Sequence, residues 1–195
     1  MLQLSGARCS MRESQLYPHV ETYLNLRFAH SRKPLYGAFL SVPAVTSSAG
    51  PAESGQWTRP DLSLVLIWRN KYSPNVNLDL YGFEVKSEAG CDVSAVHEAL
   101  AQSRHVHYSY VVWHLPTNTR VRAKHQATIT DNCRAHGVGL ITCSNYENAH
   151  DFHIAVEAGR KTPSPNAIDE FIETRFPSAK RKLICDHLRS LSDLL

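Results

Sequence analysis

Nowhere in the 195-residue sequence do apolar residues run together for the roughly 18 positions that a membrane-crossing helix needs. No membrane partner is expected on that ground. The opening segment MLQLSGARCSMRES has no apolar stretch behind a positive start, so it does not read as a secretory signal. Residues 1–12 read instead as a flexible leader, with Met11 as a second candidate start, ahead of one domain over 13–195. Cysteine is scarce and scattered: Cys9, Cys91, Cys133, Cys143 and Cys185 form no CxxC pair, which removes the zinc ribbon and the redox dithiol. Reduced thiols in a cytoplasmic chain are the expectation. Phosphate-cradling loops of the GxxxxGK[ST] or GxGxxG type are missing, and with them any support for a nucleotide cofactor. A GxSxG elbow is missing too, so a Ser-His-Asp hydrolase has no support.

What is present is an ordinary globular composition. Hydrophobic residues make up 43% and charged residues 20%, enough apolar surface to offset chain entropy and exclude disorder of the whole chain. At this length about 70% of the unfolded surface leaves water on folding, so a core forms without staples. The formal charge of +3 permits a polyanionic partner without requiring one. Its cations cluster at Arg27, Arg32 and Lys33, at Arg120, Arg122 and Lys124, and at Lys180, Arg181 and Lys182. Each cluster is either a solvated face or a track for phosphates.

Periodicity sets the element order. Residues 13–28 place Leu16, Val20, Tyr23 and Leu24 at helical spacing, with Pro18 in or near the first turn. Residues 35–42 read as a strand, and the Pro-, Gly- and Ser-rich stretch 43–60 as a long loop. LSLVLIW at 62–68 is a nearly continuous apolar run, the mark of a buried strand, and LDLYGFEV at 78–85 follows at hairpin distance. A helix over 93–105, a strand over 108–114, a helix over 120–136 ending before Gly137, strands over 138–143 and 152–156, and helices over 166–176 and 178–194 complete the pattern. The last helix carries Leu183, Ile184, Leu188 and Leu191 as a core stripe or a homodimer face. One α/β domain is predicted, a mixed central sheet flanked by helices on both faces.

Chemistry concentrates in RPDLSLVLIW and LDLYGFEVKSE. Glu84 and Lys86 lie two apart on a strand and therefore share a face, with the Val85 carbonyl between them. A hairpin would bring Asp61 beside Glu84. Two adjacent carboxylates repel unless a cation joins them, and a hard divalent ion takes carboxylate, carbonyl and water oxygens. Asp61, Glu84 and Val85 are accordingly the predicted metal ligands. Lys86 would face the same point, to orient or deprotonate an attacking water or to neutralise charge growing on phosphorus. Asp79 on the same strand has an odd offset from Glu84 and is predicted on the opposite face. The eleven histidines, including His105, His107, His150 and His153, offer no matched pairs at zinc-finger spacing. His136 reads as a favourable residue at a helix end.

Pro60-Asp61 followed by Glu84-Val85-Lys86 resembles the PD-(D/E)xK nuclease superfamily, over roughly residues 13–114. The resemblance implies a restriction-endonuclease-like core, Mg²⁺ or Mn²⁺ as cofactor, and a nucleic acid, DNA rather than RNA, as substrate. It also implies Asp61 and Glu84 as metal ligands, Lys86 as the catalytic lysine, Glu13 as a helix carboxylate pointing into the site, and Gln102 as a glutamine on the following helix. Position 106 is Val where one subgroup has an aromatic. Glu13 is equally a partner for its helix dipole, and Gln102 is equally a solvent-facing residue. Trp57 and Arg59 would reach nucleic acid from the long loop, or Trp57 would cap the core. The alternative function is a nuclease-like module that binds nucleic acid or protein without cutting.

Overall fold

The structure is a computed structural model that describes residues 12–48, 59–72 and 75–192. The leader (Arg12 excepted), the Met11 start, Cys9 and Trp57 lie outside the described residues. Within them the chain is an α/β domain with one six-stranded sheet and five α-helices. The strands are β1 (Gly37–Val45), β2 (Leu62–Asn70), β3 (Val76–Lys86), β4 (Tyr108–His114), β5 (Gly139–Cys143) and β6 (Phe152–Val156). The helices are α1 (Tyr17–Tyr23), α2 (Val93–Gln102), α3 (Ala123–His136), α4 (Pro165–Arg175) and α5 (Ser178–Ser192).

The strands lie in sequence order across the sheet. β1, β2 and β3 form an antiparallel meander, β3 to β5 run parallel, and β6 returns antiparallel. Parallel neighbours need a long crossover, which α2 and α3 supply. Asp92 starts α2 by accepting a hydrogen bond from the Ser94 amide at 2.8 Å. Gly137, in the left-handed region at φ 64°, ends α3 at His136 as the sequence predicts.

Both faces of the sheet are covered. Leu16 just before α1, α1 itself and the turn after it pack Leu16, Val20, Tyr23, Leu24 and Phe28 on Leu62, Leu64, Tyr81, Phe83 and Val85. On the other face Ala95, Val96 and Ala99 of α2 join Ile129 and Cys133 of α3 over Val111 and Trp113. Phe171 of α4 and Ile184 and Leu191 of α5 cover Val42, Val65, Ile67 and Leu80. Because β2 is covered on both sides, Leu62 through Ile67 are all buried, which is why that segment reads as unbroken apolar sequence. The α5 stripe is core at Ile184, Leu188 and Leu191, whereas Leu183 is exposed.

Two segments differ from their sequence reading. The expected helix over 13–28 is broken into a 3₁₀ turn at Glu13–Gln15, α1, and a wider turn at Leu24–Phe28 closed by Ala29 N–H donating to the Leu24 carbonyl at 2.9 Å. Pro18 sits in the first turn of α1, as expected. β1 also runs through Pro43 to Val45 where a loop was predicted. β1 is the edge of the sheet, and an edge strand tolerates a residue with no N–H. No helix among the described residues is long and apolar enough to cross a membrane.

Candidate functional site

The β2–β3 ladder ends at the Leu62–Phe83 pair, which leaves Asp61 and Glu84 as the next residues on each strand. Asp61 is held through its backbone and its side chain. Its carbonyl accepts from the Thr46 and Ser47 amides at 2.8 and 3.1 Å, so the end of β1 fixes its position. The Thr46 hydroxyl donates to the Pro60 carbonyl at 2.8 Å and contacts Ser63 Oγ at 3.0 Å. The carboxylate Oδ2 accepts from the Val85 amide at 2.8 Å, and Oδ1 accepts from the Tyr17 hydroxyl of α1. The predicted juxtaposition of Asp61 with the Glu84–Lys86 strand end is therefore present, bridged by the Val85 N–H.

Glu84 is buried at the bottom of the site. Its Oε1 pairs with Lys86 Nζ at 2.8 Å, and its Oε2 accepts from Gln102 Nε2 at 2.8 Å. Lys86 Nζ also pairs with Glu98 Oε2 at 2.7 Å. Glu98 and Gln102 stand one turn apart on α2, so both reach the same strand end. The solvent-facing alternative for Gln102 is overturned: the residue is 1% exposed, because α2 lays this face on β3. Gly82 leaves room for its amide, since a Cβ there would stand 2.9 Å from Gln102 Oε1. That Oε1 is buried and accepts no hydrogen bond among the described residues. Glu13 joins from the N-terminal turn, its Oε1 accepting a long bond of 3.4 Å from the Ser87 amide just after Lys86.

The electrostatics follow from crowding acids in a dry place. Burial pushes Glu84 up to about 8, and the nearby Asp61 charge adds to this against the pull of Lys86. Asp61 is also raised, by burial first, although the Tyr17 and Val85 hydrogen bonds and Lys86 oppose it. Burial alone would lower Lys86, but Glu84 and Glu98 outweigh it and hold the ammonium above the ordinary lysine value. Tyr17 is raised by burial and by Asp61.

Among the described residues, no group of three or more His, Cys, Asp or Glu side chains is arranged to hold a metal ion. Asp61 and Glu84 offer two carboxylates, with the Val85 carbonyl adjacent in the chain. Each oxygen of the Asp61 and Glu84 carboxylates has a donor from the protein, and the Gln102 Oε1 beside them has none among the described residues; carboxylate, carbonyl and amide oxygens are the donor types that a hard divalent ion takes.

Asp79 is turned from this cluster as its offset predicts, and pairs with Arg160 at 3.0 Å. His107 is committed to structure, its Nδ1 accepting from the Leu80 amide at 3.0 Å. Arg59 donates to the Ser47 carbonyl at 3.2 Å. Of the basic clusters, Arg32 pairs with Glu157, Lys180 with Glu21 and Arg181 with Glu173. Two participants escaped the sequence reading, Tyr17 and Glu98. Each lies four residues from a residue singled out there, Glu13 and Gln102 respectively, and that spacing is the signal that would have found them. No known protein family and no curated protein matches this chain.

Proposed function

We propose that the protein is a metal-dependent nuclease of restriction-endonuclease-like type that hydrolyses phosphodiester bonds of nucleic acid, DNA in preference to RNA. The observation that supports this reading is the convergence of Asp61, Glu84 and Lys86 at adjoining strand ends, with Gln102 against Glu84 and Glu13 at the rim. Asp61, Glu84 and Val85 would hold a divalent ion, which when bound polarises the phosphoryl group and lowers the pKa of a water. Asp61 is kept aimed by the Val85 amide and the Tyr17 hydroxyl. Gln102 fixes the Glu84 carboxylate. Lys86, held between Glu84 and Glu98, would orient the attacking water or stabilise negative charge growing on the phosphoryl oxygens.

The test is incubation of the full chain with plasmid, single-stranded DNA and RNA in Mg²⁺, Mn²⁺ or chelator. Cleavage that needs metal and falls about a hundredfold or more in Asp61→Asn, Glu84→Gln and Lys86→Met is expected, as for loss of a group that stabilises the transition state. Absence of cleavage in every metal, or cleavage untouched by all three substitutions, overturns the proposal. Nucleic-acid binding without cleavage would assign the chain to the non-cutting alternative.

A further inference from the structure

The far end of the β1–β2 pair carries a second cluster that the site above does not use. The last pair of the ladder is Gly37 with Asn70, eight residues along β2 from Leu62, or about 26 Å from the Asp61 end at the usual rise per residue. There Pro34, Leu35, Tyr36, Asn70, Lys71 and Tyr72 line an open cleft of about 480 Å³. Leu35 is 93% exposed, Tyr36 69% and Tyr72 86%. Gly37 brings them together. At φ 111° it adopts a backbone shape closed to other residues, and a Cβ there would lie 2.0 Å from the Arg69 carbonyl. The chain can therefore enter β1 tight against the end of β2, and Tyr36 and Lys71 line the same cleft.

A contiguous patch with two aromatic rings in water needs a reason that a lone exposed Leu does not. Charge supplies one. The residues around this end of the sheet, 30–37 and 69–72, contain no Asp or Glu and four cations, Arg32, Lys33, Arg69 and Lys71. Arg32 is engaged by Glu157, and Arg69 donates to the Leu191 carbonyl. Lys33 and Lys71 are exposed and make no ion pair among the described residues. Lys71 Nζ stands 5.1 Å from the centre of the Tyr72 ring.

From this combination we infer that the Tyr36–Tyr72 cleft binds single-stranded nucleic acid, its rings stacking on unpaired bases while Lys33 and Lys71 take adjacent phosphates. Stacking on an aromatic ring needs a base face that a duplex keeps hidden, which favours a single strand over double-stranded DNA. Two lysines hold a phosphate chain locally but give only marginal attraction to an anionic bilayer. The inference does not rest on the nuclease reading, because the cleft shares no residue with Asp61, Glu84 or Lys86.

The experiment is fluorescence anisotropy with labelled 12-nucleotide single strands, the matching duplex, and anionic lipid vesicles, all in chelator with the full chain. Single strands are expected to bind more tightly than the duplex. Tyr36→Ala with Tyr72→Ala should weaken single-strand binding roughly tenfold or more, as expected for lost base stacking. Lys33→Gln with Lys71→Gln should reduce the salt slope of binding by about 1.4, at about 0.7 per lost phosphate contact. All four side chains are exposed or at the cleft mouth, and unchanged circular dichroism will confirm intact folding. Equal binding by the double tyrosine variant, preference for duplex, or binding to vesicles alone overturns the inference. Cleft binding by a parent protein that cuts in no metal counts against the nuclease reading only, and metal-dependent cleavage by a protein whose single-strand binding ignores the tyrosine substitutions counts against the cleft only.

Discussion

The Tyr17 hydroxyl donates a hydrogen bond to Oδ1 of Asp61, tying α1 to the entrance of β2 across 44 residues of chain. Together with the Val85 amide on Oδ2, it gives each oxygen of that carboxylate its own donor. An acid that is largely removed from water is thereby kept in one orientation at the strand end.

Tyr17→Phe removes one of these donors and keeps the ring packing. It is expected to cost about 1 kcal/mol of stability, the usual net worth of such a bond. Urea denaturation of the two proteins in chelator measures it. An unchanged midpoint would show that the bond contributes nothing.

Glu84 is expected to make the metal-free protein less stable in mild alkali. Its folded value, raised from 4.5 to about 8, lies above its value in the unfolded chain, so the stabilising contribution is complete below pH 4.5 and is lost as pH rises to about 8. Stability in chelator should therefore fall over that interval, by at most about 1.4 kcal/mol per pH unit for a single proton. Glu84→Gln is expected to flatten the profile. Denaturation curves at half-unit steps of pH give the comparison.

His107 acts with the opposite sign. Burial lowers it from 6.5, against the pull of Asp79 and with the help of Arg160, and its Nδ1 is the acceptor for the Leu80 amide. A depressed histidine contributes stability that is complete above pH 6.5 and is lost as pH falls through the folded value. His107→Asn keeps an acceptor but cannot titrate. Its stability relative to the parent should improve as pH drops below 6.5, and a constant difference between pH 7.5 and 5 would contradict this.

Gly82 is expected to be intolerant of a side chain for reasons of space. A Cβ there would lie 2.9 Å from Gln102 Oε1 and 3.2 Å from Pro60 Cγ. Gly82→Ala should destabilise by about 1–3 kcal/mol, the usual cost of overpacking. By moving the Gln102 amide it should also lower the metal-stimulated cleavage proposed for this site. Thermal melts and initial cleavage rates on the same preparation read both effects.

Local pattern carries far in this protein. The apolar run at 62–68, the alternation that puts Glu84 and Lys86 on one face, and the stop at Gly137 are each dictated within a few residues. Their elements appear in the structure within two or three residues of the predicted bounds. Asp79 falls on the far face for the same reason, since period 2 is a property of any strand. The first helix was less legible, because the break after Tyr23 follows from packing Leu24 and Phe28 on the sheet and not from a Pro or Gly in the sequence. Pro43 marks the start of a loop by local rules, and only the sheet order shows that it lies on an edge strand, where a missing N–H is tolerated.

Six strands, the order of the helices, and the common face of Glu84 and Lys86 are legible in the sequence, because hydrophobic period and i, i+2 geometry act between near neighbours. Tertiary structure alone decided that Gln102 is buried against Glu84, that Glu98 clasps Lys86, and that Tyr17 holds Asp61. Those contacts depend on which face of α2 and of α1 meets the sheet, and that choice is made by long-range packing of the whole core.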